Sequence, residues 1–234
     1  MIDLGSTDFY IDVPSLPRHK FEEYSTKLFD EWEAYVEKFL KIPDYSLSLE
    51  VEEGSIKGGA KVAATLYALY IGVGQYGSFM SGIQTIQGQL SSAGDFLVGH
   101  ATEPFSDKNV KPRVKKNSGS LGELHRLFLK VQSGKITTEQ AMLQVKFMFG
   151  EESESEPDFM SDVKKSFENI PLLAQQLDLP LSAFEQEAIF KTDRKMNLPR
   201  PSRPKPEPPL GQQFRVEVWR DSKKEKRKVR VLQL

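Results

Sequence analysis

The residues able to do chemistry in this chain do not converge on one reaction. The three histidines, His19, His100 and His125, are widely separated and have no partner at metal-ligand spacing. There is no cysteine, which excludes disulfides, thiolate metal sites and thiol catalysis and fits a reducing compartment. His100, in GHATEPF with Glu103 three residues on, is the most site-like position, yet a lone His beside a Glu is the usual form of a packing or surface pair. Glu52 and Glu53 stand where a helix would begin, and there they complement its dipole before they pair for acid–base work. A nuclease assembled from Glu52, Glu53 and His100 is the least favoured reading.

Other signatures fail on context. GVGQYG, residues 72 to 77, has the look of a dinucleotide-binding turn, but it lies inside an apolar stretch and does not follow a strand. No phosphate loop with a Lys-Ser/Thr and no G-x-S-x-G elbow occurs. We therefore expect no enzyme, no metal and no cofactor. Basic residues gather at Lys111, Arg113, Lys115 and Lys116 and again from Lys223 to Arg230. Either run could meet phosphates of nucleic acid or lipid, but neither interleaves aromatics as single-strand binders do. Solvated loop tips are the better reading, and nucleic acid is a disfavoured partner.

The elements around these residues follow from periodicity. Phe9, Ile11 and Val13 alternate, a short strand ended by Pro14 and Pro17. From Arg18 to Leu40, Phe21, Tyr24, Leu28, Trp32, Tyr35, Val36 and Phe39 recur at three and four, which predicts an amphipathic helix. Its aromatics read as core before they read as a ligand box. Tyr45, Leu47, Leu49 and Val51 alternate with polar residues, a strand with one wet face, and Gly54 and Ser55 turn the chain.

No charge interrupts Val62 to Gly94. Read as a helix from Ile56 to about Gln89, this segment places Ala60, Ala64, Ala68 and Gly72 on one edge and repeats the spacing at Gly74, Ser78 and Gly82. Small residues four apart let a second helix approach closely. The glycines predict a bend near Gly74 and Gln75 and so a helical hairpin. The length could span a bilayer, but its polarity is high for a permanent anchor. A buried hairpin is the favoured resting state.

Beyond Gln89, turn formers and the basic run read as a loop. Leu121, Leu124, Leu127, Phe128 and Val131 share a helical face, and Thr137 or Thr138 caps a second helix with Glu139 in its first turn. The SGKITTEQA turn joining them is similar to those of short bacterial helical hairpins, the SHOCT-type module among them. The likeness is confined to this hairpin, and it implies a protein-binding or oligomerising element. EESESEPD, residues 151 to 158, reads as an acidic connector; residues 159 to 191 carry further helical patterns, and LPRPSRPKPEPPLG is a polyproline-type spacer. Phe214, Val216 and Val218 alternate with Arg215, Glu217 and Trp219, the first arm of a terminal hairpin.

The expected fold is α+β and mostly helical. Its expected units are an N-terminal α+β region (1–105), a basic loop (106–120), a helical region (121–192), a Pro-rich linker (193–212) and a C-terminal β-hairpin (213–234). At 28 % charged residues and a net charge of −1, composition is that of an ordinary globular chain with no global pull toward polyanions. The expected function is a non-enzymatic, oligomerising or membrane-acting effector working through residues 57–90, in the manner of small bacterial toxins or anti-phage effectors. The alternative is an adaptor that docks a protein partner through the 121–149 hairpin and through Phe214, Val216, Val218 and Trp219 of the tail. A second copy of the chain, another protein and a membrane surface are the expected contacts. The acidic N-terminus reads as neither a secretory signal nor a transit peptide. The expected location is the cytoplasm, with conditional or peripheral contact with the inner membrane.

Overall fold

The computed structural model describes residues 1–108, 110–171 and 213–234. In chain order the elements are β1 (Ile2–Ile11), α1 (Arg18–Phe39), β2 (Ser46–Glu52), β3 (Ile56–Ala64), α2 (Leu66–Gly74) and α3 (Phe79–Thr102). A 3-10 turn (Glu103–Lys108) leads to β4 (Arg113–Asn117), α4 (Gly119–Gln132), α5 (Thr138–Phe149), α6 (Glu152–Ser155) and α7 (Pro157–Glu168), and then β5 (Phe214–Arg220) and β6 (Lys228–Gln233). The fold is α+β and mostly helical, as its periodicities predict. The helical patterns expected between 172 and 191 and the Pro-rich stretch lie outside the described residues.

Among the described residues there is one sheet of six strands, in the order β4-β1-β3-β2-β5-β6, antiparallel throughout. Along β3 the side chains of Ile56, Ala60, Val62 and Ala64 are buried, while Lys57 and Lys61 face outward. Val51 pairs with Gly58 and Leu49 with Ala60 on one side of β3, and Phe9 with Gly58 on the other. The Phe9 ring occupies the space a Cβ at Gly58 would need, with its Cζ 2.0 Å from that position. A strand glycine otherwise weakens a sheet; here the aromatic neighbour fills its gap.

The outer face of the sheet is neutralised strand by strand. Lys61 meets Asp3 at 3.4 Å, Lys57 meets Glu52 at 3.7 Å, and Arg215 joins Glu50 at 2.9 Å and also Glu52. Opposite charges on adjacent strands are the sheet's counterpart of helical ion pairs, each worth about 0.2–1 kcal/mol. The helices cover the other face. α1 buries Phe21, Leu28, Phe29, Trp32 and Val36, each contributing about 1.5–3 kcal/mol when fully removed from water.

The structure differs from the sequence reading at several places. Ile56–Ala64 is a strand in the middle of the sheet, not the start of a helix, and Ser55 sits in a hairpin turn at φ 87° beside Gly54 at 89°. α2 begins after Thr65, whose hydroxyl accepts from the Ala68 N–H. α3 runs on through Ser91, Ser92, Gly94 and Gly99 to Thr102, where a loop was expected, and the basic loop contains β4. The acidic connector is structural as well, since a Glu152 carboxylate oxygen accepts the Leu66 N–H at 2.8 Å and places negative charge at the α2 N-terminus. The terminal hairpin is part of the main sheet, β5 pairing with β2.

The predicted helical hairpin does exist, as α2 and α3, with the break at Gln75. A second packed layer joins it to α4, α5 and α7 through Phe79, Phe128, Phe149, Phe159 and Phe167. Phe128 and Phe167 lie 4.3 Å apart between centroids, and Phe149 meets Phe159 edge-on at 5.5 Å.

Candidate functional site

The small residues predicted to form one helical edge are divided among three elements. Ala60 and Ala64 face the core from β3, and Ala68 and Gly72 lie in α2. Gly74 ends α2, Ser78 caps α3 through the Ser81 N–H, and Gly82 lies in its first turns. They do not form one continuous face. Close approach is nevertheless used within the chain: a Cβ at Gly82 would stand 2.6 Å from the Val73 carbonyl oxygen, and one at Gly72 would stand 3.0 Å from Ile42. Ala60, Ala64 and Ala68 are each at most 3 % exposed, so these three are not free to form an oligomer or membrane face, whereas Tyr67 and Ile71 of α2 remain exposed. Among the described residues no helix is long and apolar enough to cross a membrane.

Of the residues expected to capture a partner through the tail, Phe214, Val216 and Val218 pack within the chain. Val216 and Val218 are fully buried against β2, and Phe214 lies under the Arg18 guanidinium, 5.2 Å from its ring centre. Trp219, half-buried, lies on the opposite face of β5 with Arg215 and Glu217. The basic residues do not form one patch. Arg113 stacks on Tyr10 and Lys115 lies opposite Asp8, whereas Lys116 reaches α3, bonding Asp95 at 2.7 Å and the Ser91 carbonyl at 2.9 Å. Lys111 precedes the strand and is exposed. Charged side chains on an edge strand protect its unpaired backbone from other strands.

The two most exposed large apolar side chains among the described residues lie on α5. Thr137 and Gln140 form a reciprocal capping box that fixes the start of α5. Ala141, Val145 and Phe149 then turn inward. On the opposite side Leu143 is 68 % exposed and Phe147 is 91 % exposed, one turn apart. A groove of about 670 Å³ runs between them and Leu127 and Met148, and Glu123, Arg126 and Lys130 of α4 line it. Glu139 and Lys146 share the exposed side of α5, one toward each end. The Glu139 carboxyl is held below the ordinary carboxylate range by hydrogen bonds from its own backbone N–H and the Thr137 hydroxyl. Sequence reasoning pointed to this hairpin without naming Leu143 or Phe147. The signal was present: Ala141 to Phe149 is apolar nearly all round, more than one buried face can absorb.

The candidate acid–base residues have separate employments. His100 Nδ1 lies 3.2 Å from Glu31 and 3.3 Å from Glu103, with its ring 4.1 Å from that of Phe96. Glu52 is occupied by Arg215 and Lys57. Among the described residues no three His, Asp or Glu side chains are grouped to hold a metal ion. One ionic contact is deeply placed: Arg220 of β5, 7 % exposed, pairs with Glu33 of α1 and lies over the Tyr45 ring. Burial raises the Glu33 carboxyl above its ordinary range, partly offset by the Arg220 charge. This pair ties the first helix to the terminal hairpin.

A cavity of about 170 Å³ lies between α3 and the helix-covered side of β1 and β3. Trp32 from α1 lines it, and Ser91, Lys116, Asn117 and Ser118 contribute polar groups.

In comparisons with protein-family models, with curated proteins and with solved structures, nothing matches this chain.

Proposed function

We propose that this chain is a non-enzymatic, self-associating interaction protein, and that two copies join through α4 and α5. The observation that carries the reading is Phe147, almost wholly in water beside Leu143 on a helix whose other side is core. A large aromatic held in water gains by burial, and aromatics are favoured anchors of protein interfaces. The occupant we infer is a second copy because the face is self-complementary. A two-fold axis near Leu143 would run the two α5 helices antiparallel, set each Glu139 beside the other copy's Lys146, and offer each Phe147 the facing groove. A two-fold interface requires a patch that matches itself.

This keeps the oligomerising part of the expected function and moves it away from residues 57–90. Using its buried small residues would require β3 to leave both of its neighbours in the sheet and α2 to separate from α3 at Gly82. Charge reversal tests the pairing. Glu139→Lys and Lys146→Glu should each weaken self-association about tenfold, and the double reversal should recover most of it, since attraction is restored with its sign exchanged. Single reversals that leave association unchanged would overturn the two-fold arrangement.

A further inference from the structure

We infer that the cavity beneath α3 is a binding site for a small uncharged molecule of about one aromatic ring carrying a hydrogen-bond acceptor. Trp32 lines it and is 2 % exposed, and its indole Nε1–H has no acceptor among the described residues. A buried donor left unpaired is costly, and a ligand acceptor would recover that cost. Leu4, Val62, Leu90 and Ala93 supply apolar walls. At about 170 Å³ the space exceeds the roughly 150 Å³ that holds a benzene ring in an engineered cavity.

The charge in the wall argues for a neutral guest. Lys116 is the cation lining the cavity, and Asp95 at 2.7 Å and the Ser91 carbonyl and hydroxyl already engage its ammonium group. A carboxylate would have to displace Asp95, whereas an amide or ketone oxygen needs only the indole N–H. Gly94 closes one wall tightly, since a Cβ there would stand 2.3 Å from the Thr7 hydroxyl oxygen. The ligand is therefore limited in size on that side.

The chain has two tryptophans, so an amide-type nitrogen–proton spectrum of the full protein contains two indole N–H signals, and Trp219→Phe assigns them. Titration with benzamide should move the Trp32 signal saturably downfield, with half-saturation at about millimolar concentration for a ligand of this size. Benzoate should bind at least tenfold more weakly, and Ala93→Leu, which fills the cavity, should abolish the response. A Trp32 signal that benzamide and acetophenone both leave in place would overturn the site. Equal responses to benzene and benzamide would overturn the acceptor requirement.

Discussion

Gly82 rests directly on the backbone of Val73, close enough that a methyl group at position 82 would overlap both the Val73 carbonyl oxygen and its Cγ1, at 2.6 and 2.7 Å. Backbone cannot swing aside as a side-chain tip does, so Gly82→Ala should destabilise the fold by about 1–3 kcal/mol. Gly88, in the same helix with open space around it, should respond in the opposite direction, gaining about 0.5–1 kcal/mol as alanine. Urea unfolding of the two variants measures both. A Gly82→Ala protein as stable as the parent would mean that α2 and α3 do not meet in this way.

Arg220 and Glu33 are the most consequential ion pair in the fold because both are withdrawn from water, with side chains 8 % and 19 % exposed. Glu33→Gln removes the counter-charge and leaves a buried guanidinium, at a cost of about 3 kcal/mol. Joint replacement by Glu33→Leu and Arg220→Met should recover most of that loss, since neither partner is then stranded. Denaturation midpoints of the single and double variants separate the outcomes. Equal losses in both would assign the effect to packing.

The Tyr70 hydroxyl donates to Asp162 at 2.8 Å, tying α2 to α7, and this bond holds the Asp162 carboxyl below its ordinary value of 3.8. The unfolded chain therefore binds the proton more readily than the folded one. The resulting stability is present above pH 3.8 and is lost as pH falls through the lower folded value. Tyr70→Phe should reduce this dependence, so the difference in stability between parent and variant should be larger at about pH 5 than at about pH 2.5. Urea midpoints at the two pH values check it, and a difference independent of pH would contradict the linkage.

Much of the frame could be read from side-chain period. α1 announced itself through Phe21, Leu28, Trp32 and Val36, and β2 and β5 through strict alternation. β3 did not, for a geometric reason: four is an even number, so Ala60 and Ala64 share a face in a strand as well as an edge in a helix. The pair Gly58-Gly59, which helices disfavour, was the better discriminator. The second half of α3 was hidden because its glycines and serines look like turn formers. Gly94 is there for contact, with Thr7 pressed against it.

The candidate site was legible only in part. SGKITTEQA marked the α4–α5 turn and its cap, but periodicity could not tell which apolar side of α5 would face inward, because Val145 and Phe149 alternate with Leu143 and Phe147. Packing against α7 and α4 made that choice. Val216 and Val218 were misread for the complementary reason. A hairpin that needs a sheet edge found one in β2 of its own chain.

The central claim is self-association through Phe147, and sedimentation equilibrium of the full chain tests it most directly. One chain is 26.6 kDa. The account predicts twice that mass for the parent at micromolar concentration and a single-chain mass for Phe147→Asp, whose exposed position should leave the fold intact. A parent that sediments as one chain, or a Phe147→Asp variant that stays paired, would contradict it.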